Sequence, residues 1–234
     1  LKKGSFLLTD DERALLDKVT AEFEKVVVLL DTGNVIDMSW TEEYGDKISA
    51  LIIAWQGGME SGNAVADVLS GNVNPSGRLT DTIARAYTDY PSSNDFGNRK
   101  YNNYTEDVYV GYRYFSTFAE DKVLFPFGYG LSYTTFAIDG KVNFDGCLAT
   151  VDISVENTGD VAGKEVVQVY VEPPQGKLGK PARELCAFQK TKLLAPGESE
   201  ILTLTFAVKD MASYDDLGLV QKSAWVMEKG EYKI

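Results

Sequence analysis

The chain has 234 residues, 44% hydrophobic and 25% charged, a length and composition suited to two soluble globular domains of roughly 100 residues each. No apolar run approaches the ~20 residues of a membrane span, and 35 acidic against 23 basic residues give a net charge of −12 that repels the phosphates of nucleic acid and anionic lipid, so neither nucleic acid nor membrane is an expected partner. Histidine is absent, which removes the usual general base of serine and cysteine hydrolases and the commonest zinc ligand, so any catalysis runs on carboxylates, tyrosines or lysines or is completed elsewhere.

The first residues, Leu1-Lys2-Lys3-Gly4-Ser5, carry neither an initiator methionine nor the apolar stretch of a signal peptide, so the start reads as cut and localisation stays open between cytoplasmic and secreted. Thr9-Asp10-Asp11-Glu12 predicts a capping box, and Leu15, Leu16, Val19 and Phe23 form one stripe of the helix it opens. The run Val26 to Leu30 then reads as a strand buried on both faces of a parallel sheet, and the run Ile48 to Trp55 as a second one. Val35 to Glu43 is their crossover. After Gly57-Gly58 a helix is predicted from Glu60 to Leu69, with Ala64, Val65, Val68 and Leu69 on one face and Gly71 as a left-handed cap. Two apolar parallel strands do not make a stable sheet alone, so further strands are expected outside this sequence.

From Tyr87 to Phe136 the chain is dense in tyrosine, phenylalanine, asparagine and glycine with little periodicity, a composition suited to ordered loops packed by aromatic side chains. Beyond Leu148 the pattern alternates, in Val151 to Val155, Val167 to Val171 and Ile201 to Phe206, with turn signals at Asn157 to Asp160 and Ala195 to Glu198, as in an antiparallel sandwich. Cys147 and Cys186 are too few for a disulfide framework and read as free structural thiols, although one bridge is compatible with the count. Asp31, Asp37, Asp139 and Asp145 lack the ligand spacing of a calcium loop, and neither Gly4 to Leu8 nor Gly57-Gly58 cradles phosphate, so no metal, nucleotide or other cofactor is expected.

Four segments resemble glycoside hydrolase family 3 in order along the chain. They are Val26 to Gly33, Gly58 to Ala64 running on through Asp67 to Leu79, Phe125 to Phe136, and Asn157 to Tyr170. Each is weak alone, and four in register over roughly 150 residues are strong. The resemblance implies a partial α/β sandwich domain with a parallel sheet, followed by an all-β fibronectin type III-like sandwich. Residues 1–86 form the C-terminal part of the α/β domain on this reading, 87–147 a loop-rich aromatic region completing it, and 148–234 the fibronectin-like sandwich.

The resemblance also implies a retaining, exo-acting β-glucosidase-like enzyme whose substrate is a terminal β-linked oligosaccharide or glucoside. Its nucleophile, an aspartate on a (β/α)8 barrel, and its acid/base glutamate both fall outside this chain, which is therefore expected to carry no catalytic residue and to be inactive alone. Which sugar is cut, and whether the barrel precedes or follows, is left open, as is assembly into a homo-oligomer. The rivals are a non-catalytic carbohydrate-binding or adhesion module that kept the fold, and a regulatory module built on the sandwich.

Two residues are candidates for substrate binding. Glu60 follows a strand's glycine turn at a helix start, where α/β sheets display functional groups; the plainer reading, preferred here, is that it complements the helix dipole. Glu106, in Tyr104 to Phe115, either orders the sugar pocket or pairs with Arg113 to hold its own loop. The aromatics of residues 125–136 read as packing, and the loop from Glu172 to Arg183 as either lying along neighbouring domains or solvated.

Overall fold

The computed structural model describes residues 3–95 and 97–234. They divide into two compact units, one made of the chain up to Asn72 with Asp81–Thr105 and Asp121–Pro126, the other of Val73–Thr80, Glu106–Glu120 and Phe127–Ile234. The chain therefore passes several times between units.

In the first unit, helix α1 (Asp10–Glu22) opens on the predicted capping box. Thr9 Oγ1 accepts the Glu12 N–H at 3.1 Å, and the Glu12 carboxylate accepts the Thr9 N–H at 2.7 Å, which holds the Glu12 carboxyl below its usual range. Strands β1 (Val27–Leu30) and β2 (Ala50–Ile53) pair in parallel, Val27 opposite Ala50 and Leu30 opposite Ile53. Between them stands the short helix α2 (Trp40–Tyr44). Its Trp40 is wholly buried with Met38 and Ile83, and its Tyr44 hydroxyl donates to Asp17 of α1 at 2.7 Å. Helix α3 (Ser61–Ser70) ends at Gly71, whose φ of 80° is the left-handed cap expected there. A pair of short antiparallel strands, β3 (Ile83–Ala84) and β4 (Val123–Phe125), completes the unit.

Among the described residues β1 and β2 pair only with each other and their apolar faces stay partly open, Val27 and Leu29 being 48% and 44% exposed. Burial on both faces is not met within these residues, whereas the expectation that two such strands lack further sheet neighbours here is. The stripe of α1 is likewise open, with no residue of that helix buried. Apolar sequence reports what a strand or helix is able to cover, and in this unit the core collects instead around Met38, Trp40 and Ile83.

The second unit holds helix α4 (Tyr112–Phe118) and the sandwich. One sheet runs β5 (Phe136–Phe144), β6 (Leu148–Asn157), β9 (Ser199–Ala207), all antiparallel, and the other pairs β7 (Val166–Val171) with β8 (Glu184–Lys190). A hairpin of β10 (Ser213–Asp215) and β11 (Ala224–Val226) follows. Alternation places Val151, Ile153 and Val155 of β6, Val167, Val169 and Val171 of β7, and Leu202, Leu204 and Phe206 of β9 in one core, while Ile201 points out. Buried Asn157 ends β6 by donating to the carbonyls of Val161 and Leu194, both at 2.9 Å, and accepting the Thr134 hydroxyl at 2.6 Å.

The loop after β7 is held within its own unit. Lys180, 2% exposed, pairs with Glu228 at 2.7 Å and donates to the Pro174 carbonyl at 2.9 Å. The Lys180 ammonium and the N–H of Lys177 keep the Glu228 carboxyl below its usual range. Both cysteines are free, Cys147 exposed and Cys186 half-buried, and burial pushes the Cys186 thiol up to about 11. With a maleimide at pH 8, Cys147 is expected to label first and Cys186 roughly a hundredfold more slowly, because the thiolate is the reacting species. Equal labelling rates, read by mass spectrometry of the native protein, would contradict that assignment.

Candidate functional site

Parallel strands leave their carboxyl ends on one edge, and that edge is where open α/β sheets bind ligands. In the first unit it is built from the turn after β1, Asp31 to Asn34, and the turn after β2, Trp55 to Glu60. The first turn is tied by its own side chain: Thr32 Oγ1 donates to the Asn34 carbonyl and accepts the Asn34 N–H at 3.2 Å. The second begins with Trp55 at a φ of 55°, a left-handed conformation that bulky residues rarely adopt. The chain bends there, and the Gln56 side chain lies directly over Gly33, where an added Cβ would stand 2.8 Å from Nε2, 3.0 Å from Cδ and 3.3 Å from Oε1.

Glu60 sits at the N-cap of α3 without a side-chain bond to the helix backbone; its carboxylate accepts the Asn63 amide at 2.5 Å. Met59 beside it is fully exposed. The edge thus presents Gln56, Glu60 and Asn63 as polar groups on a strained turn. Sequence reading singles out Glu60 by its position after a strand and two glycines, and does not single out Gln56. The usable signal was a tryptophan at the end of an apolar strand, directly before a polar residue and a glycine pair.

Glu106 belongs to the second unit, half-buried, with its carbonyl accepting the Tyr109 N–H at 2.8 Å. Glu60 and Glu106 therefore sit in different units, and each is placed only within its own. The guanidinium of Arg113 is paired with Glu184 of β8, 3.5 Å from Nε, and rests 5.7 Å from the Tyr112 ring centre. Tyr112 stacks on Phe127 at 4.9 Å and meets Tyr170 edge-on at 5.8 Å, while its hydroxyl oxygen accepts the Leu185 N–H at 2.8 Å. Helix α4 is in this way clamped to the sandwich. Further along, Tyr129, Leu131 and Tyr133 are 39%, 74% and 48% exposed, so only part of the aromatic stretch is packing.

The segment Asn74 to Leu79 also packs in the second unit. Asn74 Oδ1 accepts from the Ser132 hydroxyl and the Tyr133 N–H, both at 2.9 Å. Arg78 grips Glu165 through Nη2, 2.5 Å and 2.6 Å from its two carboxylate oxygens, and donates to the Gly130 carbonyl at 2.7 Å. Among the described residues no group of three or more Cys, Asp or Glu side chains is placed to hold a metal ion.

Residues 2–133 match the glycosyl hydrolase family 3 C-terminal domain, and residues 165–234 match a fibronectin type III-like domain. The chain is 54% identical over 234 residues to a beta-glucosidase of Ruminococcus albus, covering 99% of this chain and 24% of that protein. It is 48% identical to beta-glucosidase A of Butyrivibrio fibrisolvens, covering 98% of this chain and 30% of that one. A beta-glucosidase from Paenibacillus barengoltzii superimposes with a TM-score of 0.96 at 55% identity, over 99% of this chain and 26% of that structure. Beta-glucosidase 3B from Thermotoga neapolitana, solved with glucose, gives 0.89 at 46%, over 99% and 32%. The chain thus spans about a quarter to a third of the length of these relatives.

Proposed function

Because the chain belongs to glycoside hydrolase family 3, we propose that it is the non-barrel portion of a retaining, exo-acting β-glucosidase, supplying one wall of the site that cuts a terminal β-linked sugar. The observation that carries this reading is the match to beta-glucosidases over 98% or more of the chain, through both of its domains in order.

Retaining hydrolysis needs two carboxyl groups about 5 to 5.5 Å apart, one attacking the anomeric carbon and the other protonating the leaving oxygen and then activating water. By resemblance the attacking aspartate stands on a (β/α)8 barrel and the acid/base glutamate on a loop, both outside these 234 residues. What this chain contributes is positioning: polar groups at the carboxyl edge of β1 and β2 face the sugar. Such groups act by holding the glycoside in a reactive pose, which on its own accounts for a large share of enzymatic rate enhancement.

The purified 234-residue chain, shown to melt cooperatively, is expected to release no aglycone from an aryl β-glucoside. The whole protein is expected to hydrolyse it and to give the β-anomer as first product by NMR. Turnover by the isolated chain would overturn the assignment of the catalytic carboxyls. A whole protein that binds cello-oligosaccharides and cuts no β-glycoside would instead favour a carbohydrate-binding module.

A further inference from the structure

The turn after β2 spends conformational strain to place one side chain. Trp55, at φ 55°, turns the chain off the strand direction, and an aromatic residue held in that region is a recurrent mark of a functional constraint. The strain brings Gln56 back across the end of β1, onto Gly33. Gly33 is not itself in the left-handed region, and the three atoms nearest the position its Cβ would take all belong to the Gln56 side chain. Space for the Gln56 side chain is therefore what the absent side chain at residue 33 provides.

The carboxamide that results is exposed and makes no hydrogen bond to protein among the described residues. It stands where the ends of two parallel strands meet, the position at which open α/β sheets take ligands. A carboxamide offers two N–H donors and a carbonyl acceptor on a rigid plane, a match for neighbouring hydroxyls on a sugar ring.

We infer that Gln56 is a sugar-contacting, specificity-determining residue that reads the hydroxyl pattern of the glycoside, with Trp55 and Gly33 as its positioning residues. This rests on the β-glycosidase reading above and names a contact that the reading leaves unassigned.

The test is steady-state kinetics of the whole enzyme on aryl β-glucoside and aryl β-galactoside, alongside melting temperatures. Gln56→Ala is expected to lower kcat/KM for the glucoside about tenfold, the loss of one hydrogen bond to the sugar, mainly through KM, and to change the glucoside-to-galactoside ratio. Gly33→Ala pushes the carboxamide aside and is expected to do the same, with melting temperatures within about 2 °C of wild type. In the double variant the alanine at residue 33 has nothing left to displace, so G33A/Q56A should match Q56A alone. An active wild-type enzyme whose Q56A variant stays within twofold on both substrates sinks this inference and leaves the β-glycosidase reading standing. Full additivity of the two losses also sinks it. A wild-type enzyme inert toward every β-glycoside removes the reading first and this inference with it.

Discussion

Replacing Arg78 with methionine is expected to destabilise the second unit by about 3–5 kcal/mol, a drop in melting temperature of roughly 10 °C. The side chains of Arg78 and Glu165 are 11% and 13% exposed, and the guanidinium fork meets both carboxylate oxygens while donating a third bond to Gly130. Methionine fills similar volume and leaves the Glu165 carboxylate with the Val166 N–H at 2.7 Å as its remaining bond in the site. A half-buried charge stripped of its counter-charge is where the cost arises, more than in the attraction that is lost. Arg78→Lys, which keeps the charge and loses the fork, should fall between. The double variant R78M/E165M should recover much of the loss, because the stranded charge goes with it. Urea denaturation of the 234-residue chain reads all three. A change under 1 kcal/mol for R78M would mean that the pair is a bystander, and that the segment from Asn74 to Leu79 is held by Asn74, by the backbone bonds of Leu79 with Tyr129 and Gly128, and by packing.

That pair also shows where sequence reading stops. Arg78 and Glu165 were both legible as members of motifs, yet they are 87 residues apart in the chain, and nothing local says that one motif clasps the other. Signals that live within a few residues did read through: the Thr9 to Glu12 box, the Gly71 cap, and the alternation that turns Val151, Ile153 and Val155 inward. Helix α4 escaped notice because its N-cap is Gly111, with no side chain to cap it, and it carries aromatics at 112, 114, 115 and 118 that read as loop packing. Strand β5 escaped because Asp139-Gly140 interrupts its alternation and most of its residues are exposed. The candidate site divides the same way. Glu60 follows from position after a strand, whereas the placement of Gln56 depends on a backbone angle at Trp55 and on a glycine 23 residues earlier in the sequence, and no periodicity encodes either.

Asp215 sets the acid limit of the hairpin that closes the second unit. Its carboxylate is 1% exposed and accepts four consecutive backbone N–H groups, from Gly218 at 2.7 Å, Leu219 at 3.0 Å, Val220 at 2.7 Å and Gln221 at 2.8 Å. Burial alone would raise its pKa; the donors of Val220, Leu219, Gln221 and Gly218 outweigh burial and hold it below the usual carboxylate range. The loop between β10 and β11, which carries exposed Leu217, Leu219 and Val220, is therefore ordered from beneath by one charge. Asp215→Asn keeps the shape and turns one acceptor oxygen into a donor, so at pH 7 it is expected to lower the melting temperature by roughly 5–10 °C and to open the loop to proteolysis between residues 217 and 223. The sign of the pH dependence follows from the lowered pKa. The stabilisation is complete above the carboxyl's value in the unfolded chain and fades as pH falls through its lower value in the folded one. Wild type and D215N should accordingly differ most near neutrality and converge in acid, even though Glu12 and Glu228, whose pKa values are also lowered, weaken both proteins together. A gap between the two melting curves that stayed constant down to pH 2 would show that shape at residue 215, and not its charge, holds the loop.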